Sequence, residues 1–560
     1  MGKRPRRATL RQHRLGSHPI IQHYLERMNF RGIIRDCLGT GLERSLDHAE
    51  VLGVLVHNVL VSRGPMYRIR EWAMKIEPTA LGLTAAQVDH LHDDRLVRSL
   101  EALASERGRN VFFRLALRVI KHFEVQTSRV HFDTTTVTFF GQYATSRAEP
   151  RITRGINKDH RPDLKQLVFG LNISSDGAVP LLHQVFSGNR TDDSVHVRNL
   201  DLLRTLLGTD HFVYVADSKL CTKENLQHVA SRGGQFVTVM PRTWAEDKSF
   251  RQRLRKGCPA VRWRKIHEVA NARRRDAPPD VYSSTSAGPQ ETRDASYRLV
   301  WVRSSQKATL DRQARLDHLR AAELELKDIG QKLGKRKLKT RAKIQKKVRE
   351  VLAKHRVSTF LEVRIASFTD QERRYLRSGR PKPGDPTRTI RHRRFRLDVT
   401  HETEALRAEA RTDGVFPLVT NIPASASCKR EILEIYKYQP YLEKRFALTK
   451  SEYGIAPIFL KKPIRVLGLI HVYFLAIILS SLLERQVRAH MALHEIGAIP
   501  ILPEGRATKT PTTPRILENF DDVAWHEFTE GDRAVSFPIE LAKTQKLLLD
   551  LSGVPRSLFQ

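Results

Sequence analysis

The chain has few cysteines, and no two of them are paired in a metal-binding spacing. Its 560 residues include only four, at Cys37, Cys221, Cys258 and Cys428, and none forms a Cys-x-x-Cys motif. A structural zinc site or a disulfide framework is therefore not expected, and the pattern favours a reducing, cytoplasmic compartment. The N-terminal stretch is basic without an apolar run behind it, which is not typical of a secretory signal.

Long hydrophobic runs are also scarce. One stretch, residues 466–483, has 18 residues with no formal charge and just reaches the length of a membrane span. Charged residues flank it on both sides, Gly468, Ser480 and Ser481 interrupt it, and no second such stretch exists. We therefore predict a buried core helix and no membrane partner.

Acidic residues are few relative to basic ones. The chain has 97 Lys and Arg against 61 Asp and Glu, a formal net charge of +36. A basic excess of this size indicates a polyanionic partner, with nucleic acid favoured, because each cation that meets a phosphate releases a condensed counterion. Membranes and ribosomes also attract basic chains, so charge alone does not decide the partner. The length predicts roughly two to four domains.

The hydrophobic periodicity changes along the chain and divides it into five segments. Apolar spacing of three and four residues predicts a helical N-terminal domain over 1–125, which serves either to bind a DNA end or to pack and dimerise. Strand patterns follow over 126–243. A charged, irregular insertion over 244–412 contains short strand-like runs, RLVWVRS (298–304) and FLEVRIAS (360–367), and a long helix. A second part of the core over 413–500 opens with a strand pattern at 413–421 and carries Glu443, and a C-terminal tail covers 501–560.

The strand patterns have a recognisable order. RVHFDTTTVTFFG (129–141) reads as a long strand, and Asp176-Gly177 joins two apolar runs as a hairpin. DHFVYVAD (210–217) and GGQFVTVMP (233–241) read as strands separated by a helix that begins near Thr222. This order predicts an α/β fold: a ribonuclease H-like catalytic core with a mixed five-stranded sheet and helices, interrupted by a large insertion and preceded by the helical domain.

Three acidic residues lie in contexts suited to holding a metal. Asp133 is inside the first strand, Asp217 ends the fourth, and Glu443 lies in a segment with helical spacing. Open α/β sheets place their sites at such strand ends. Carboxylate oxygens suit Mg²⁺ or Mn²⁺, and two such ions are the hard-cation chemistry of phosphoryl transfer. Each Asp taken alone is more typical of a cap or turn.

Tyr436, Glu443 and Lys450 are spaced seven residues apart. On one continuous helix they would share a face that offers a phenol, a carboxylate and a cation. An ordinary amphipathic helix with a salt-bridged face explains the same spacing.

The insertion carries two basic clusters. A helix is predicted from about Lys307 to His355, and RHRRFRL (391–397) alternates like a strand with a basic face. Either cluster is a solvated surface or a phosphate-contacting arm. The candidate contacts to the DNA backbone are Lys335, Arg336, Lys337, Lys339, Arg341, Lys346, Lys347, Arg391, Arg393 and Arg394.

The chain resembles the DDE transposases of bacterial insertion sequences, in the branch with the signature Tyr-x2-Arg-x3-Glu-x6-Lys. The resemblance rests on NKDHRPDLKQLVFGLNIS (157–174), GNRTDDS (188–194), VADSKLCTKEN (215–225) and the segment around Glu443. HPIIQHYLERMNFRGIIRD and SRGPMYRIREWA resemble the N-terminal domain of the same group, so the resemblance covers nearly the whole chain.

The resemblance implies a DNA-cleaving and strand-transferring enzyme. By implication Asp133, Asp217 and Glu443 bind two Mg²⁺ or Mn²⁺ ions, while Tyr436, Gln439 and Lys450 map to the DNA-contacting signature positions. The implied partners are terminal inverted repeats and target DNA, bound by a homodimer associated with the nucleoid. The alternatives are a structure-selective nuclease or resolvase on the same fold, and an inactive, transposase-derived DNA-binding protein.

The signature segment departs from the family at two residues. Gln439 stands where the signature has Arg, and Pro440 follows it. Because proline suits the first turn of a new helix, Pro440 predicts a helix start between Tyr436 and Glu443.

Overall fold

The computed structural model describes residues 8–40, 45–141, 143, 149–156, 161, 163–190, 195–270, 278–334, 338–376, 379–380, 384, 386–455, 458, 460–530 and 533–560. The chain forms two compact units. The first comprises Met1–Thr238 and Leu433–Gln560, and the second comprises Val239–Ile432. The second unit therefore extends beyond the predicted insertion of 244–412 and includes the strand expected at 413–421.

The first unit begins with a largely helical region, as the sequence predicts. Its helices are α1 (His18–Arg27), α2 (Phe30–Leu38), α3 (His48–His57), α4 (Ile69–Ala73), α5 (Ala85–Asp89), α6 (Asp93–Leu103) and α7 (Glu106–His122). A capping box starts α3, where the Asp47 carboxylate accepts the Glu50 N–H and the Glu50 carboxylate accepts the Asp47 N–H. α6 begins at Asp93, with Asp93 and Asp94 in its first turn, where acidic side chains favour a helix start.

The sheet of the first unit has the strand sequence that the apolar runs predict. Its strands are β2 (Arg129–Phe139), β3 (Lys165–Ser174), β4 (Pro180–Ser187), β5 (Val213–Ala216) and β6 (Gln235–Val239). They lie in the order β4-β3-β2-β5-β6. β2, β3 and β4 are antiparallel neighbours, while β5 is parallel to β2 and β6 is parallel to β5. The result is an α/β fold with a mixed sheet.

Two helices connect the later strands of this sheet. α8 (His196–Leu207) lies between β4 and β5, and α9 (Lys223–Ala230) lies between β5 and β6. The Thr222 hydroxyl accepts the Asn225 N–H at the start of α9, which confirms the helix start predicted at Thr222.

The predicted hairpin turn at Asp176-Gly177 is present between β3 and β4. Gly177 has φ +78°, and a Cβ there would stand 2.8 Å from the side chain of Arg485. The Arg485 guanidinium donates to the Asp176 carboxylate at 2.7 Å. Only glycine fits this combination of left-handed backbone and close approach.

The long apolar stretch forms α16 (Pro463–Leu493). This helix is long and apolar enough to cross a membrane, but 83% of its most apolar window is buried inside the protein. At Gly468 a Cβ would stand 2.2 Å from the Leu100 carbonyl oxygen of α6, so the two helices touch backbone to backbone. The prediction of a buried core helix is confirmed.

The ends of the chain pair with each other, which the sequence did not indicate. β1 (Ala8–Arg14) is antiparallel to β13 (Ala524–Glu530), and β14 (Arg533–Phe537) adds a third strand. The His13 imidazole stacks on Trp525 with ring centroids 3.8 Å apart. Residues 8–14 are thus neither a disordered tail nor a free arm, because a strand more than 500 residues away along the chain supplies their hydrogen bonds.

The predicted C-terminal tail of 501–560 is likewise folded. Besides β13 and β14 it contains α17 (Thr513–Glu518) and α18 (Lys543–Ser552). The Tyr24 hydroxyl of α1 donates to the Ser552 carbonyl at 2.9 Å. Buried apolar residues at Leu548, Leu549 and Leu551 explain why this segment packs instead of remaining in solvent.

The second unit contains a four-stranded antiparallel group in the order β12-β9-β8-β7. These strands are β7 (Arg264–Val269), β8 (Asp280–Thr285), β9 (Arg298–Ser304) and β12 (Val415–Thr420), with helices α10 (Ala245–Arg255) and α13 (Thr403–Ala410). The strand-like run predicted at 298–304 is β9, and the rest of this segment is more regular than the sequence indicates. β7 was not predicted, because it is mostly exposed and carries no apolar run.

A helix pair and a long hairpin complete the second unit. The single helix predicted from Lys307 to His355 is wrong: α11 (Ser305–Gln331) and α12 (Arg341–Lys354) are separate. Gly334 has φ +78° and donates its N–H to the Leu338 carbonyl, so the chain turns there instead of continuing the helix. β10 (Leu361–Tyr375) and β11 (Thr387–His401) form a two-stranded antiparallel hairpin whose first half packs on both helices.

Buried histidines give the first unit a predictable response to acid. Burial lowers the pKa of His18 and of His471 to about 3 and that of His131 to about 4. Burial also holds the pKa values of His57 and His183 well below the ordinary value. These five imidazoles stay neutral in the folded chain, whereas in the unfolded chain they take up protons near pH 6.5.

We expect the free energy of unfolding to fall as pH drops from about 6.5 towards 5, because the unfolded state then binds more protons. Urea unfolding at pH 8, 7, 6 and 5 measures this. The exposed His211, replaced as His211→Gln, should leave the profile unchanged. A profile that is flat between pH 7 and 5 would contradict the assignment.

Candidate active site

Asp133 and Asp217 lie on neighbouring strands at matching positions. Phe132 of β2 stands opposite Ala216 of β5 at the end of the parallel ladder. Asp133 follows Phe132 within β2, and Asp217 is the first residue after β5, so the two residues leave the ladder at adjacent positions. Asp133 is half-exposed in the middle of an otherwise buried run of β2, so its carboxylate reaches solvent where its neighbours do not.

A tight turn holds Asp217 directly after β5. Its Oδ1 accepts the Lys219 N–H at 2.9 Å, and its carbonyl oxygen accepts the Thr238 hydroxyl at 2.6 Å and the Leu220 N–H at 3.1 Å. The Asp133 Oδ1 accepts the Thr134 N–H at 2.7 Å. Both carboxylates thus have one oxygen fixed by a backbone amide.

The signature segment folds as three short elements. Tyr436 is in α14 (Lys429–Lys437), Glu443 is in α15 (Gln439–Ala447), and Lys450 is in the π-helical turn Leu448–Glu452. Pro440 lies in the first turn of α15, which confirms the helix start that it predicts. The three residues therefore do not lie on one regular α-helix, and their seven-residue spacing alone does not place them on one face.

The charges of the three acidic residues nevertheless all act on one phenol. Burial raises the pKa of the Tyr436 hydroxyl, and the negative charges of Asp217, Asp133 and Glu443 raise that pKa further, in this order. A carboxylate acts on a phenol in this way only at short range, since solvent screens distant charges. The Tyr436 hydroxyl consequently stays protonated and can donate a hydrogen bond.

Gln439 does not face a ligand. Its side chain is 6% exposed, its Nε2 donates to the Phe132 carbonyl at 2.9 Å, and its Oε1 lies 3.1 Å from His131 Nδ1. With Oε1 as the acceptor, the imidazole donates from Nδ1. The DNA contact expected at Gln439 stays a prediction, and in this structure the side chain is turned towards β2. Its amide instead clamps α15 onto β2 one residue before Asp133.

This clamp also places Glu443. Glu443 follows Gln439 by one helical turn, and Asp133 follows His131 by two strand residues, so each carboxylate is on the same face as its clamping neighbour. Glu443 is exposed and Lys450 is half-buried.

Sequence reasoning missed Arg445, which fastens α15 from its other side. Its buried guanidinium donates to the Ala178 carbonyl at 3.1 Å, the Gly177 carbonyl at 2.9 Å and the Glu484 carboxylate of α16 at 2.8 Å. A signal was available: Arg445 falls between Leu442 and Phe446 at helical spacing, on the apolar face of α15.

Replacing Gln439 with Arg tests the clamp. We expect Gln439→Arg to lower the free energy of unfolding by about 1–3 kcal/mol, because it buries a charge and leaves the Phe132 carbonyl and the His131 ring without their partner. Ala447→Arg, which adds the same side chain at an exposed position of α15, is the matched control. Chemical denaturation compares the two variants. Equal stability would show that residue 439 can turn outward.

Among the residues that the structure describes, no group of three or more His, Cys, Asp or Glu side chains is close enough to share a metal ion. Asp133, Asp217 and Glu443 are all among the described residues, so their carboxylates do not converge closely enough in this structure to share an ion. The donor set of Asp133, Asp217 and Glu443 consists of carboxylate oxygens, the ligands that Mg²⁺ prefers, and it fits a hard cation by its chemistry.

The basic candidates lie in the second unit. Lys339, Arg341, Lys346 and Lys347 are exposed at or near the start of α12, and Arg391, Arg393 and Arg394 are on β11. Lys335, Arg336 and Lys337 lie outside the described residues, as do residues 157–160, 162 and 191–194 of the resemblance motifs.

Comparison with known proteins gives one partial match. A family model described as a domain of unknown function, DUF4277, matches residues 10–117. This domain is found in transposase-like proteins. The matched region comprises most of β1 and the helices up to α7, including both N-terminal motifs of the resemblance. No curated protein matches the chain.

Proposed function

We propose that the chain is a DDE transposase that cleaves DNA at the ends of an insertion sequence and joins the freed 3′ ends to target DNA. The observation that carries the proposal is that the charges of Asp217, Asp133 and Glu443 all raise the pKa of the Tyr436 hydroxyl, together with the adjacent placement of Asp133 in β2 and Asp217 after β5. A β-strand, a strand end and a helix from distant parts of the chain supply these carboxylates.

The sheet order supports a ribonuclease H-like core. Three antiparallel strands, followed by two strands parallel to the first, give β4-β3-β2-β5-β6 with Asp133 on the first strand and Asp217 after the fourth. The DUF4277 match in the helical region agrees with this reading, since that domain occurs in transposase-like proteins.

In the proposed reaction, Asp133, Asp217 and Glu443 would hold two Mg²⁺ ions. Ions held by these carboxylates would supply charge stabilisation for the attacking and the leaving oxygen. Water attacks phosphorus and the bond to the 3′ oxygen breaks, which leaves a 3′-hydroxyl and a 5′-phosphate. In strand transfer this 3′-hydroxyl replaces water as the nucleophile on target DNA.

The chain's own residues supply position and charge. The protonated Tyr436 hydroxyl can donate to a phosphate oxygen, and the Lys450 ammonium can pair with one. Neither residue needs to accept a proton. The buried Gln439 amide keeps β2 and α15 together, so the departure from the signature Arg lies in the support of the site and does not remove a phosphate contact.

Strand cleavage tests the proposal. The substrate is a duplex that carries the DNA flanking the gene, where short terminal inverted repeats are expected. We expect Mg²⁺-dependent nicking that leaves a 3′-hydroxyl at the repeat end, and its loss on chelation with EDTA. Nicking at branched or damaged DNA without preference for the repeat would favour the nuclease or resolvase instead.

A further inference from the structure

The two faces of the β10–β11 hairpin differ in whether their basic side chains are paired with acidic ones. The register pairs Gln371 with Arg391 and Thr369 with Arg393, so odd-numbered residues of both strands share one face and even-numbered residues share the other. The first half of the odd-numbered face is apolar and packs on α11 and α12 through residues such as Val363, Ile365 and Leu397.

On the even-numbered face, most basic side chains form ion pairs with acidic side chains of the same face. Arg364 pairs with Glu362 at 3.0 Å, Arg374 with Glu372 at 3.0 Å, and Arg396 with Asp398 at 2.9 Å. Arg394 and His392 also have acidic partners there, Asp370 and Glu372. Each acidic residue of this face is bound to a cation, so the face presents little net charge.

The outer half of the odd-numbered face contains no acidic residue within the described hairpin strands. It presents the guanidinium groups of Arg373, Arg391 and Arg393 with Thr369, Gln371, Thr387, Thr389 and Tyr375. All three arginines are exposed, and no ion pair joins them to any carboxylate in the described part of the chain. Arg393 lies over the Phe395 ring at 5.7 Å, where the hairpin leaves the helices.

The three arginines are spaced so that each can contact a different phosphate of one DNA backbone. Arg391 and Arg393 are two residues apart on one strand, roughly 6.6 Å, and Arg373 lies diagonally across from Arg391 at roughly 7–8 Å. A two-stranded ribbon is narrow enough to follow a groove of duplex DNA. Threonine hydroxyls and the Gln371 amide between the arginines can donate to phosphate oxygens as well.

We infer that the acid-free face of this hairpin, formed by Arg373, Arg391 and Arg393, binds the sugar–phosphate backbone of duplex DNA. The face is electrostatically complementary to a polyanion, and it reads no sequence because its contacts are to phosphates. Arg394, which the sequence grouped with Arg391 and Arg393, belongs to the self-neutralised face. The inference rests on the proposed function only for the identity of the polymer as DNA.

Two triple variants with equal change in net charge test the inference. Arg373→Gln/Arg391→Gln/Arg393→Gln removes the acid-free cations, and Arg364→Gln/Arg374→Gln/Arg396→Gln removes the paired ones. The measurement is the slope of log binding constant against log salt concentration for a duplex DNA of unrelated sequence, taken from 50 to 200 mM salt.

We expect the first variant to reduce the slope by about 2.7, or about 0.9 for each phosphate that is no longer neutralised, and the second to reduce it by less than 1. Between 50 and 200 mM salt, the binding constant of the first variant should therefore fall by a factor roughly 40 times smaller than that of the wild type. Equal changes in the two variants would overturn the inference, because net charge and not the face would then govern binding. So would a reduction seen with duplex RNA and absent with duplex DNA.

The single variants serve if a triple variant does not fold, and each acid-free arginine should then account for about 0.9 of the slope. Suppose that the two triple variants differ in slope as expected but the wild-type chain nicks no DNA in Mg²⁺. The proposed function would then be refuted, and the inference about the hairpin surface would stand. If the wild-type chain nicks the repeat but the two variants have equal slopes, the proposed function would stand and the inference about the hairpin surface would be refuted.

Discussion

Replacing any one of the three site carboxylates by its amide is expected to abolish DNA cleavage while leaving the fold intact. Asp133→Asn, Asp217→Asn and Glu443→Gln should each slow strand nicking by about 10³-fold or more, since removing a metal ligand takes away roughly 4 kcal/mol or more of transition-state stabilisation. The amides keep an acceptor oxygen for the Thr134 and Lys219 N–H groups.

The melting temperatures of the variants show whether the three carboxylates act in catalysis or only support the fold. Each amide keeps the size of the carboxylate that it replaces and an acceptor oxygen, so the melting temperature in EDTA should stay close to that of the wild type. Glu452→Gln, an exposed carboxylate on the same segment, is the control that should retain full nicking. A site variant that melts earlier and nicks normally would contradict the assignment.

The second large effect is expected at Arg445. Arg445→Ala leaves the Glu484 carboxylate buried without its closest cation and frees the carbonyls of Gly177 and Ala178. Breaking a buried ion pair from one side costs about 3–5 kcal/mol of unfolding free energy. Arg407→Ala, which breaks an exposed pair with Glu404, should cost less than about 1 kcal/mol.

A double variant distinguishes the buried charge from impaired packing. Arg445→Met with Glu484→Gln removes both charges and should recover much of the stability that Arg445→Ala loses, because no uncompensated ion remains. Chemical denaturation of all four proteins measures this. A double variant as unstable as Arg445→Ala would show that the carbonyl hydrogen bonds dominate.

Local chemistry made much of the first unit predictable. The Asp176-Gly177 turn, the Thr222 cap and the Pro440 helix start each depend on a few adjacent residues, and the structure contains all three. The strands that carry Asp133 and lead to Asp217 were equally visible, because buried strands of this sheet read as continuous apolar runs.

The rest depended on partners far along the chain. Nothing near residues 8–14 indicates that β13 completes their ladder. Gln439 reads as a weakened signature Arg until the Phe132 carbonyl and the His131 ring are seen against its amide. The identical residue types of Arg393 and Arg394 gave no hint that they point to opposite faces, since the strand register alone decides this.

The most direct test of the proposed metal site measures Mn²⁺ binding by calorimetry in the absence of DNA. It compares the wild-type chain with the triple variant Asp133→Asn/Asp217→Asn/Glu443→Gln. We predict that the wild type binds Mn²⁺ and gains thermal stability from it, in proportion to RT ln(1 + [Mn²⁺]/Kd). The triple variant should show neither the binding nor the gain. Equal Mn²⁺ uptake by both proteins would contradict the claim that these carboxylates form a metal centre.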